Sequence, residues 1–333
     1  MKEAMFYEKF DKKVKCLLCG RECIIPEGER GFCGVRENIK GKLYSLVYSK
    51  PCSLAMDPIE KKPFFHFAPG SFCLSIATVG CNLRCLFCQN WEISQAKEII
   101  GEETEPEKVI ELARSHGAKG ISYTYTEPTI FYEYALDIMK LAKKQGFYNV
   151  WVSNGYINPE PIKKMVKYLD GVNVDLKGDD EFYKKVCLSP GIKPVLTALK
   201  TFKKYGIWIE VTNLIVPGYN DSEEKVLELV KWIKTNLGLD TPLHFSRFYP
   251  SYKMLNVLPT PKETLEKCVK IAEKQGLHYV YLGNVLGHPK ESTYCWKCGT
   301  KLIERFGFEI VSFKEKCPNC GNKILIKGKK WMK

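Results

Sequence analysis

Three closely spaced cysteines carry the clearest chemical signal in the chain. Cys81, Cys85 and Cys88 are separated by three and then two residues, and they follow an apolar run, residues 72–79, that predicts a buried strand. Thiolates at this spacing can point inward from one loop and bind three corners of a cubane iron–sulfur cluster, because cysteine is the usual ligand of such clusters. The fourth iron would have no protein ligand. An open coordination position distinguishes a reactive metal site from a closed structural one, so the spacing predicts chemistry at the exposed iron.

The loop also matches a known signature. The pattern Cys-x3-Cys-x2-Cys, with the aromatic Phe87 before the last cysteine, resembles that of the radical S-adenosylmethionine (radical SAM) superfamily. The resemblance implies a [4Fe-4S] cluster whose open iron binds the amino and carboxylate groups of SAM. It also implies reductive cleavage of SAM to methionine and a 5'-deoxyadenosyl radical that abstracts hydrogen. The alternatives are a zinc site lacking one ligand, or unligated thiols packed as small apolar side chains.

The cysteine content favours metal ligation over disulfides. The chain has 15 cysteines, and it shows neither an apolar run long enough for a membrane span nor a secretory signal. We therefore expect a cytoplasmic protein with reduced thiols and no membrane partner. Besides the central loop, two groups of four cysteines stand out: Cys16, Cys19, Cys23 and Cys33, and Cys295, Cys298, Cys317 and Cys320.

The second of these groups predicts a zinc ribbon. Two Cys-x2-Cys pairs are separated by 18 residues, Cys298 to Cys317, which is the spacing of such sites. The four thiolates would close the coordination sphere, so the expected role is structural. The first group is less regular, and its reading stays open between structural zinc, a small iron–sulfur or redox-active site, and unmetallated thiols. We expect a Cys-rich segment at 1–70, a central domain at 71–288, and the ribbon with a basic tail at 289–333.

The central domain alternates short apolar runs with amphipathic stretches. Strands are predicted near residues 72–79, 119–125, 148–153, 171–176, 207–213, 242–247 and 278–282. Helices are predicted near residues 105–115, 129–144, 158–168, 193–204, 222–236 and 261–274. This alternation is typical of βαβ units around a parallel sheet, either a barrel or a doubly wound sheet. Because radical SAM enzymes use a partial (β/α)6 barrel, the resemblance favours the barrel.

Polar residues that follow each strand would line the chemical end of such a barrel. Glu127 follows the second strand, where the family's segment binds the amino group of the SAM methionine. It could instead be an acidic residue at a helix start. Ser153 and Asn154 follow the third strand and could bond the ribose or the methionine carboxylate, although Asn-Gly is also a common turn. The loop residues Phe87 and Asn90 complete this part of the predicted cofactor site.

The later strands supply the predicted catalytic residues. Asp175 and Lys177 form an Asp-x-Lys segment that resembles the one lining the SAM and substrate site of glycyl-radical-enzyme activases. Asp175 is also expected to contact the cofactor, and a solvent ion pair is the alternative. Val216 lies in a segment that resembles the family's adenine-packing segment. His244 and Arg247 could face the SAM carboxylate or a substrate anion.

As a whole, residues 10–325 resemble the pyruvate formate-lyase activating enzyme-like branch of the radical SAM proteins. Within that branch they resemble the radical SAM member of the AmmeMemoRadiSam system. The resemblance implies an oxidoreductase with a flavodoxin- or ferredoxin-type electron donor and an unidentified protein or small-molecule substrate. The Cys-rich head and the terminal ribbon depart from true formate-lyase activases, which weakens the case for a glycyl-radical partner.

The formal charge of +13 leaves one alternative from another class. An RNA-modifying or nucleic-acid-binding metalloprotein could use the ribbon and basic tail to contact phosphates. The lysines, however, alternate with glutamates along helical stretches, as on a solvated surface, and no arginine-rich stretch occurs. We therefore expect no nucleic-acid partner.

Overall fold

The computed structural model describes residues 1–332. Its first region, the head, contains two three-stranded antiparallel sheets with the orders β1-β6-β5 and β2-β3-β4. The head strands are β1 (Lys2–Glu3), β2 (Tyr7–Phe10), β3 (Lys13–Cys16), β4 (Ile24–Ile25), β5 (Arg36–Ile39) and β6 (Lys42–Ser45).

The central region is built on one eight-stranded sheet in simple chain order from β7 to β14. Its strands are β7 (Ser53–Pro58), β8 (Phe72–Ala77), β9 (Gly120–Tyr123), β10 (Tyr148–Ser153), β11 (Gly171–Asp175), β12 (Trp208–Ile215), β13 (Leu243–Arg247) and β14 (Val280–Gly283). All neighbours from β8 to β14 are parallel, whereas β7 pairs antiparallel with β8. The sheet is open, with β7 and β14 at its edges, as in a partial barrel.

Helices connect the parallel strands. They are α1 (Trp91–Ser94), α2 (Pro106–Ser115), α3 (Tyr132–Lys144), α4 (Pro159–Met165), α5 (Asp180–Lys185), α6 (Lys193–Lys204), α7 (Glu223–Asn236) and α8 (Lys262–Lys274). Short 3-10 helices cover Ile59–Lys61, Pro128–Phe131, Pro289–Glu291 and Lys329–Trp331. Within residues 1–332, no helix combines the length and apolar character that a bilayer span requires.

Local sequence explains most helix starts. The Ser222 hydroxyl accepts a hydrogen bond from the Lys225 amide at 3.3 Å and caps α7. The Asp179 carboxylate caps α5 by accepting from the Phe182 amide at 2.8 Å. Such caps satisfy backbone donors that a helix leaves unpaired at its start. The helices α2, α4 and α6 instead begin with proline in their first turn, where the missing N–H costs nothing.

The predicted barrel strands and the six predicted long helices are confirmed. The structure adds to the central sheet one strand that the sequence did not predict: the stretch at residues 51–67, within the predicted Cys-rich segment, contains strand β7. Its residue Pro58 pairs with Phe72, and Ser53 pairs with Ala77. The predicted boundary between residues 70 and 71 therefore falls between the two strands of this hairpin.

The segment that follows β7 closes the amino-terminal end of the barrel. Phe64 and Phe67 are buried in one apolar cluster with Tyr148 and Val150. Beside them, the fully buried Glu210 carboxylate accepts from the backbone amides of Phe65 and His66 at 2.9 and 2.8 Å. We call residues 59–68 the plug.

The ribbon forms the third region and docks on the plug. Its strands are β15 (Thr293–Tyr294), β16 (Lys301–Phe306) and β17 (Glu309–Phe313). The buried Arg305 donates to the Phe65 carbonyl at 2.8 Å and to the Thr293 hydroxyl at 2.8 Å. The bond to Phe65 ties the ribbon to the plug, whereas the bond to Thr293 holds Arg305 in place within the ribbon.

The head docks against helix α3 of the barrel. The buried Arg36 guanidinium forms two hydrogen bonds of 2.9 Å with the Glu133 carboxylate of α3. The Met5 amide also donates to Glu133, at 2.7 Å. A two-pronged arginine–carboxylate pair of this kind fixes orientation as well as distance, so the head is held in one position on the barrel.

Candidate active site

The cysteine loop begins with a sharp turn at the carboxyl end of β8. Gly80 has φ +96°, and a Cβ at this position would lie 2.7 Å from the Cys33 carbonyl oxygen. Only glycine combines that backbone conformation with such a close approach. The turn directs the three following cysteines onto the carboxyl-terminal edge of the sheet. There, Cys85 is buried, whereas Cys81 and Cys88 are half-buried.

Polar donors surround two of the loop thiols. The Cys81 sulfur lies 3.4 Å from the Leu83 amide and 3.7 Å from the Asn154 side-chain nitrogen. The Cys88 sulfur lies 3.3 Å from the Ser94 hydroxyl. Burial raises the pKa of both thiols. Donors to sulfur oppose that shift by favouring the thiolate, which is the metal-binding form, and they tune the potential of a bound iron–sulfur cluster.

Two neighbouring loops hold the cysteine loop in place. The Arg84 and Leu86 amides donate to the carbonyls of Cys187 and Val186 at 3.1 and 2.9 Å. On the other side, the Lys253 amide donates to the Leu86 carbonyl at 2.9 Å. The Ser251 hydroxyl donates to the carbonyl of Cys88 at 3.2 Å.

These anchors come from the loops after β11 and β13, so the cysteine loop depends on distant segments for its shape. The side chain of Cys187 also lies beside Cys85, and together with burial it raises the pKa of the Cys85 thiol.

Glu127 is a structural centre for the segments after β9 and β10. Its buried carboxylate accepts from the Thr129 amide and hydroxyl at 3.0 and 2.5 Å. It also accepts from the Ser153 hydroxyl and the Asn154 amide, both at 2.8 Å. Burial nevertheless raises the pKa of Glu127, although these donors oppose the shift. The structure thus brings together Glu127, Ser153 and Asn154, and Asn154 in turn contacts Cys81.

The segment before Glu127 holds a strained residue. Tyr125 has φ +64°, an unfavourable conformation for a bulky side chain. Its carbonyl accepts from the Asn90 side chain at 2.8 Å, and its hydroxyl donates to Asp57. Asn90 therefore links the end of the cysteine loop to this backbone.

The aspartate and lysine after β11 form the predicted pair. The Lys177 ammonium lies 2.7 Å from the Asp175 carboxylate and 5.7 Å from the centre of the Phe87 ring. Burial lowers the pKa of Lys177, but the charges of Asp175 and of the nearby Cys85 outweigh it and raise the pKa overall. The lysine is thus a buried cation beside the cysteine loop. Phe87 packs on Phe182 of α5 with 5.9 Å between ring centres.

Val216 and Arg247 also lie at the carboxyl-terminal edge. Val216 is fully buried, and its amide donates to the Asn220 side chain at 2.7 Å. The Arg247 guanidinium donates to the Thr260 carbonyl at 2.8 Å and to the Tyr249 hydroxyl at 3.3 Å. Both therefore occupy the end of the barrel that carries the cysteine loop.

His244 lies at the other end, which differs from its expected position. It is the second residue of β13, and its Nε2 lies 2.8 Å from the Glu210 carboxylate. Its ring packs against those of Phe65 and Tyr281, with centres 4.8 and 5.1 Å apart. A buried histidine bonded in this way beneath the plug is part of the barrel floor, so we leave it out of the proposed site.

Two other cysteine groups remain distinct. In the ribbon, one ligand atom from each of Cys295, Cys298, Cys317 and Cys320 lies within 4.8 Å of all the others. This geometry suits a single tetrahedral ion. In the head, the side chains of Cys16, Cys19, Cys23 and Cys33 line one cavity of about 20 Å³.

Sequence reasoning missed several residues of this region. Asn82 donates to the Tyr156 carbonyl and accepts from Asn154, both at 2.8 Å. Asp57 of β7 contacts Lys62 at 2.7 Å as well as Tyr125. Hydrogen bonds from lysine and tyrosine outweigh burial and lower the pKa of Asp57. Asn82 could have been suggested by its place inside the cysteine motif, whereas nothing local distinguished Asp57.

Comparison with known proteins supports the family that the cysteine loop resembles. A sequence profile of the radical SAM superfamily matches residues 75–233. The uncharacterised protein MJ0808 of Methanocaldococcus jannaschii is 53% identical over 334 residues, covering 98% of this chain and 99% of that protein. The pyruvate formate-lyase-activating enzyme of Clostridium pasteurianum is 28% identical over 210 residues, covering 57% of this chain and 86% of the enzyme.

A solved structure supports the fold. The crystal structure of a radical SAM methyltransferase from Sphaerobacter thermophilus, 16% identical, matches with a TM-score of 0.50 over 63% of this chain and 65% of that chain. The profile match begins within β8 and covers the cysteine loop and the strands β9 to β12. The fold, the three-cysteine loop and the relatives agree, and this chain is an enzyme of the radical SAM superfamily.

Proposed function

We propose that this enzyme binds a [4Fe-4S] cluster through Cys81, Cys85 and Cys88 and binds SAM at the iron that has no cysteine ligand. When both are bound, an electron from the cluster cleaves SAM to methionine and a 5'-deoxyadenosyl radical, which abstracts hydrogen from a protein or small-molecule substrate. The observation that carries the proposal is the cysteine loop itself. It lies at the carboxyl-terminal edge of a parallel sheet, two of its thiols are half-buried, and polar donors contact the sulfurs of Cys81 and Cys88.

The residues around the loop have separate tasks in this proposal. Glu127 positions Ser153 and Asn154 through two of its four hydrogen bonds, and the other two hold it to Thr129. Asn90 orients the Tyr125 carbonyl, which becomes an acceptor for the methionine amino group. Backbone acceptors suit an ammonium donor, so the strained turn serves cofactor binding.

Lys177, Asp175 and Arg247 contribute charge near the reaction. Lys177 carries a positive charge beside Cys85, where it offsets the negative charge of a thiolate-bound cluster. Asp175 holds Lys177 at 2.7 Å and is 36% exposed, so it can also meet SAM or substrate. Arg247 provides a planar donor group for a carboxylate. The adenine contact predicted for Val216 requires neighbouring side chains to move on binding, because Val216 is fully buried.

The remaining assignments follow from the resemblance and the relatives. An electron donor of the flavodoxin or ferredoxin type would reduce the cluster. The ribbon cysteines would bind zinc, with single-ion spacing as the support. Membership of the AmmeMemoRadiSam system stays a prediction.

The test measures SAM cleavage by anaerobically reconstituted protein. With dithionite and SAM, the wild type is expected to release 5'-deoxyadenosine and methionine, whereas Cys88→Ala should lose this release because the cluster has lost a ligand. Cys268→Ala, which removes a buried thiol of α8, is the matched control and should keep it. Iron binding without 5'-deoxyadenosine above the level of Cys88→Ala would contradict the proposal.

A further inference from the structure

The four head cysteines do not have the sulfur spacing of a single zinc site. Zinc lies about 2.3 Å from each of its thiolate sulfurs. Four sulfurs at that distance leave no room between them for a water-sized sphere, whose radius is about 1.4 Å. Cys16, Cys19, Cys23 and Cys33 line a cavity of about 20 Å³ together with apolar residues such as Leu18, Ile25 and Ile130. Such a space holds about one water-sized group, and the head thiols, unlike those of the ribbon, do not form a set with single-ion spacing.

The ribbon cysteines show the sulfur spacing of a single-ion site in the same chain. Their four sulfurs lie within 4.8 Å of one another, with Cys295 and Cys320 at 3.5 Å and Cys298 and Cys317 at 3.4 Å. Across residues 1–332, no other group of three or more cysteine, histidine or carboxylate side chains has ligand atoms this close to one another. The head quartet therefore lacks the close spacing of the ribbon quartet. The same chain thus has one quartet with single-ion spacing and another that lines a small cavity.

Charge and hydrogen bonding at the cavity favour an anionic occupant. Arg21 and Arg36 line it together with the four cysteines. Arg36 is 2% exposed, and its Nε has no hydrogen-bond partner. A buried donor without a partner is costly, and a sulfide or thiolate acceptor in the cavity would satisfy it. An iron–sulfur cluster with four thiolate ligands carries net negative charge and offers such acceptors.

The head cavity adjoins the loop that binds the catalytic cluster. Asn82, the residue after Cys81, lines the cavity, and Arg21 donates to its carbonyl. On the other side, Arg84 donates to the Phe32 carbonyl at 2.6 Å. The Cys33 carbonyl also contacts Gly80 closely. Few atoms therefore separate the two cysteine groups.

We propose that Cys16, Cys19, Cys23 and Cys33 bind an auxiliary iron–sulfur cluster that relays electrons to the loop cluster. One electron enters from a reduced flavodoxin- or ferredoxin-type protein, reduces the head cluster and passes to the loop cluster. The head cluster returns to its oxidised state with each transfer. The relay rests on the function proposed above, whereas the presence of the cluster does not.

The first experiment uses the full chain with the loop cysteines replaced, Cys81→Ala, Cys85→Ala and Cys88→Ala together. After anaerobic reconstitution, this variant is expected to keep iron and acid-labile sulfide in similar amounts, with an EPR signal on reduction. Because it has no loop cluster, the result does not depend on SAM chemistry. A variant that holds zinc at both quartets and no labile sulfide would overturn the proposal.

A second variant identifies the ligands. Adding Cys16→Ser and Cys19→Ser to the loop variant should remove the remaining iron while the ribbon keeps its metal, which also reports that the chain is folded. Iron retained in this variant would be adventitious and would overturn the assignment. If the chain does not fold, Cys23→Ser alone is used, and a changed EPR signal in place of the original is expected.

The relay is tested with the loop intact. Cys16→Ser and Cys19→Ser together should reduce flavodoxin-driven SAM cleavage at least tenfold and dithionite-driven cleavage less than threefold. Dithionite is small enough to reduce the loop cluster directly. Equal losses with both reductants would overturn the relay, and absence of cleavage in the wild type would instead contradict the function proposed above.

Discussion

Buried ionisable residues have different roles at the two ends of the barrel. At the amino-terminal end, Glu210 accepts four hydrogen bonds, from two plug amides, Trp208 and His244. At the carboxyl-terminal end, Lys177 and Asp175 form a pair that is partly open to solvent, next to half-buried thiols. A fully bonded floor stabilises the fold, whereas open bonding capacity at the rim is available to a cofactor. The place of a residue along its strand, more than its type, decides which it serves.

The largest loss of stability is expected from a substitution at the floor, the amino-terminal end of the barrel that the plug closes. Glu210→Ala should lower the free energy of unfolding by about 3–5 kcal/mol, because it leaves His244 and buried amides without their acceptor. Urea denaturation measures the loss, and Glu228→Ala on the exposed face of α7 is the control. SAM cleavage per folded molecule should stay within twofold of the wild type. A loss of cleavage without a loss of stability would place Glu210 in the chemistry instead.

The floor also predicts a pH dependence. Burial raises the pKa of Glu60 to about 7, whereas an unfolded glutamate titrates near 4.3. The folded state therefore favours the protonated form of Glu60. Its contribution to the free energy of unfolding is complete below about pH 4 and is lost as the pH rises to about 7.

Glu60→Gln should remove this pH-dependent loss of stability, because glutamine does not ionise. At pH 8 the variant should be more stable than the wild type by about 3 kcal/mol, and the gain should vanish near pH 4. Denaturation at several pH values measures it, with Glu228→Gln as the exposed control. A constant difference across pH would show that Glu60 does not titrate in this range.

At the rim, Asp175→Asn should cost activity more than stability. Lys177 would lose its carboxylate partner, and we expect SAM cleavage to fall about tenfold, or about 1.4 kcal/mol in the barrier. Asp170→Asn is the matched control, because Asp170 precedes the same strand at the floor end, where it binds the Asn149 amide at 3.0 Å. The rates of 5'-deoxyadenosine release by the two variants show whether activity depends on Asp175 more than on Asp170. Equal losses would remove the distinction between the two ends.

The smallest effect is expected from an aromatic stack over the cysteine loop. The rings of Trp91 and Tyr252 are stacked with centres 5.2 Å apart. Trp91→Ala should cost about 0.5–1.5 kcal/mol, seen as a few-fold higher KM for SAM because the loop after β13 would hold the cysteine loop less firmly. Trp91→Phe should restore most of the affinity. An unchanged KM in Trp91→Ala would show that the stack does not support cofactor binding.

Local patterns were enough to predict much of this arrangement. The strands from β8 to β14 were visible because buried parallel strands are continuously apolar and lie between amphipathic helices. Strand β7 was missed because Ser53–Pro58 is partly buried and ends in proline, so its sequence alone does not distinguish an edge strand from a connector. The ribbon followed from spacing, since four ligands in two tight turns need no distant partner.

The sequence by itself determined the chemistry available to this protein: three thiols at cluster spacing, a four-cysteine ribbon, and polar residues after parallel strands. These features are local, because turns and strand ends depend on neighbouring residues. Only the tertiary structure decided how they are used. It placed His244 on Glu210 at the floor, bonded the Glu127 carboxylate to four donors, and lined a cavity beside the loop with the head cysteines. Those outcomes depend on contacts between residues far apart in the chain, which no local spacing encodes.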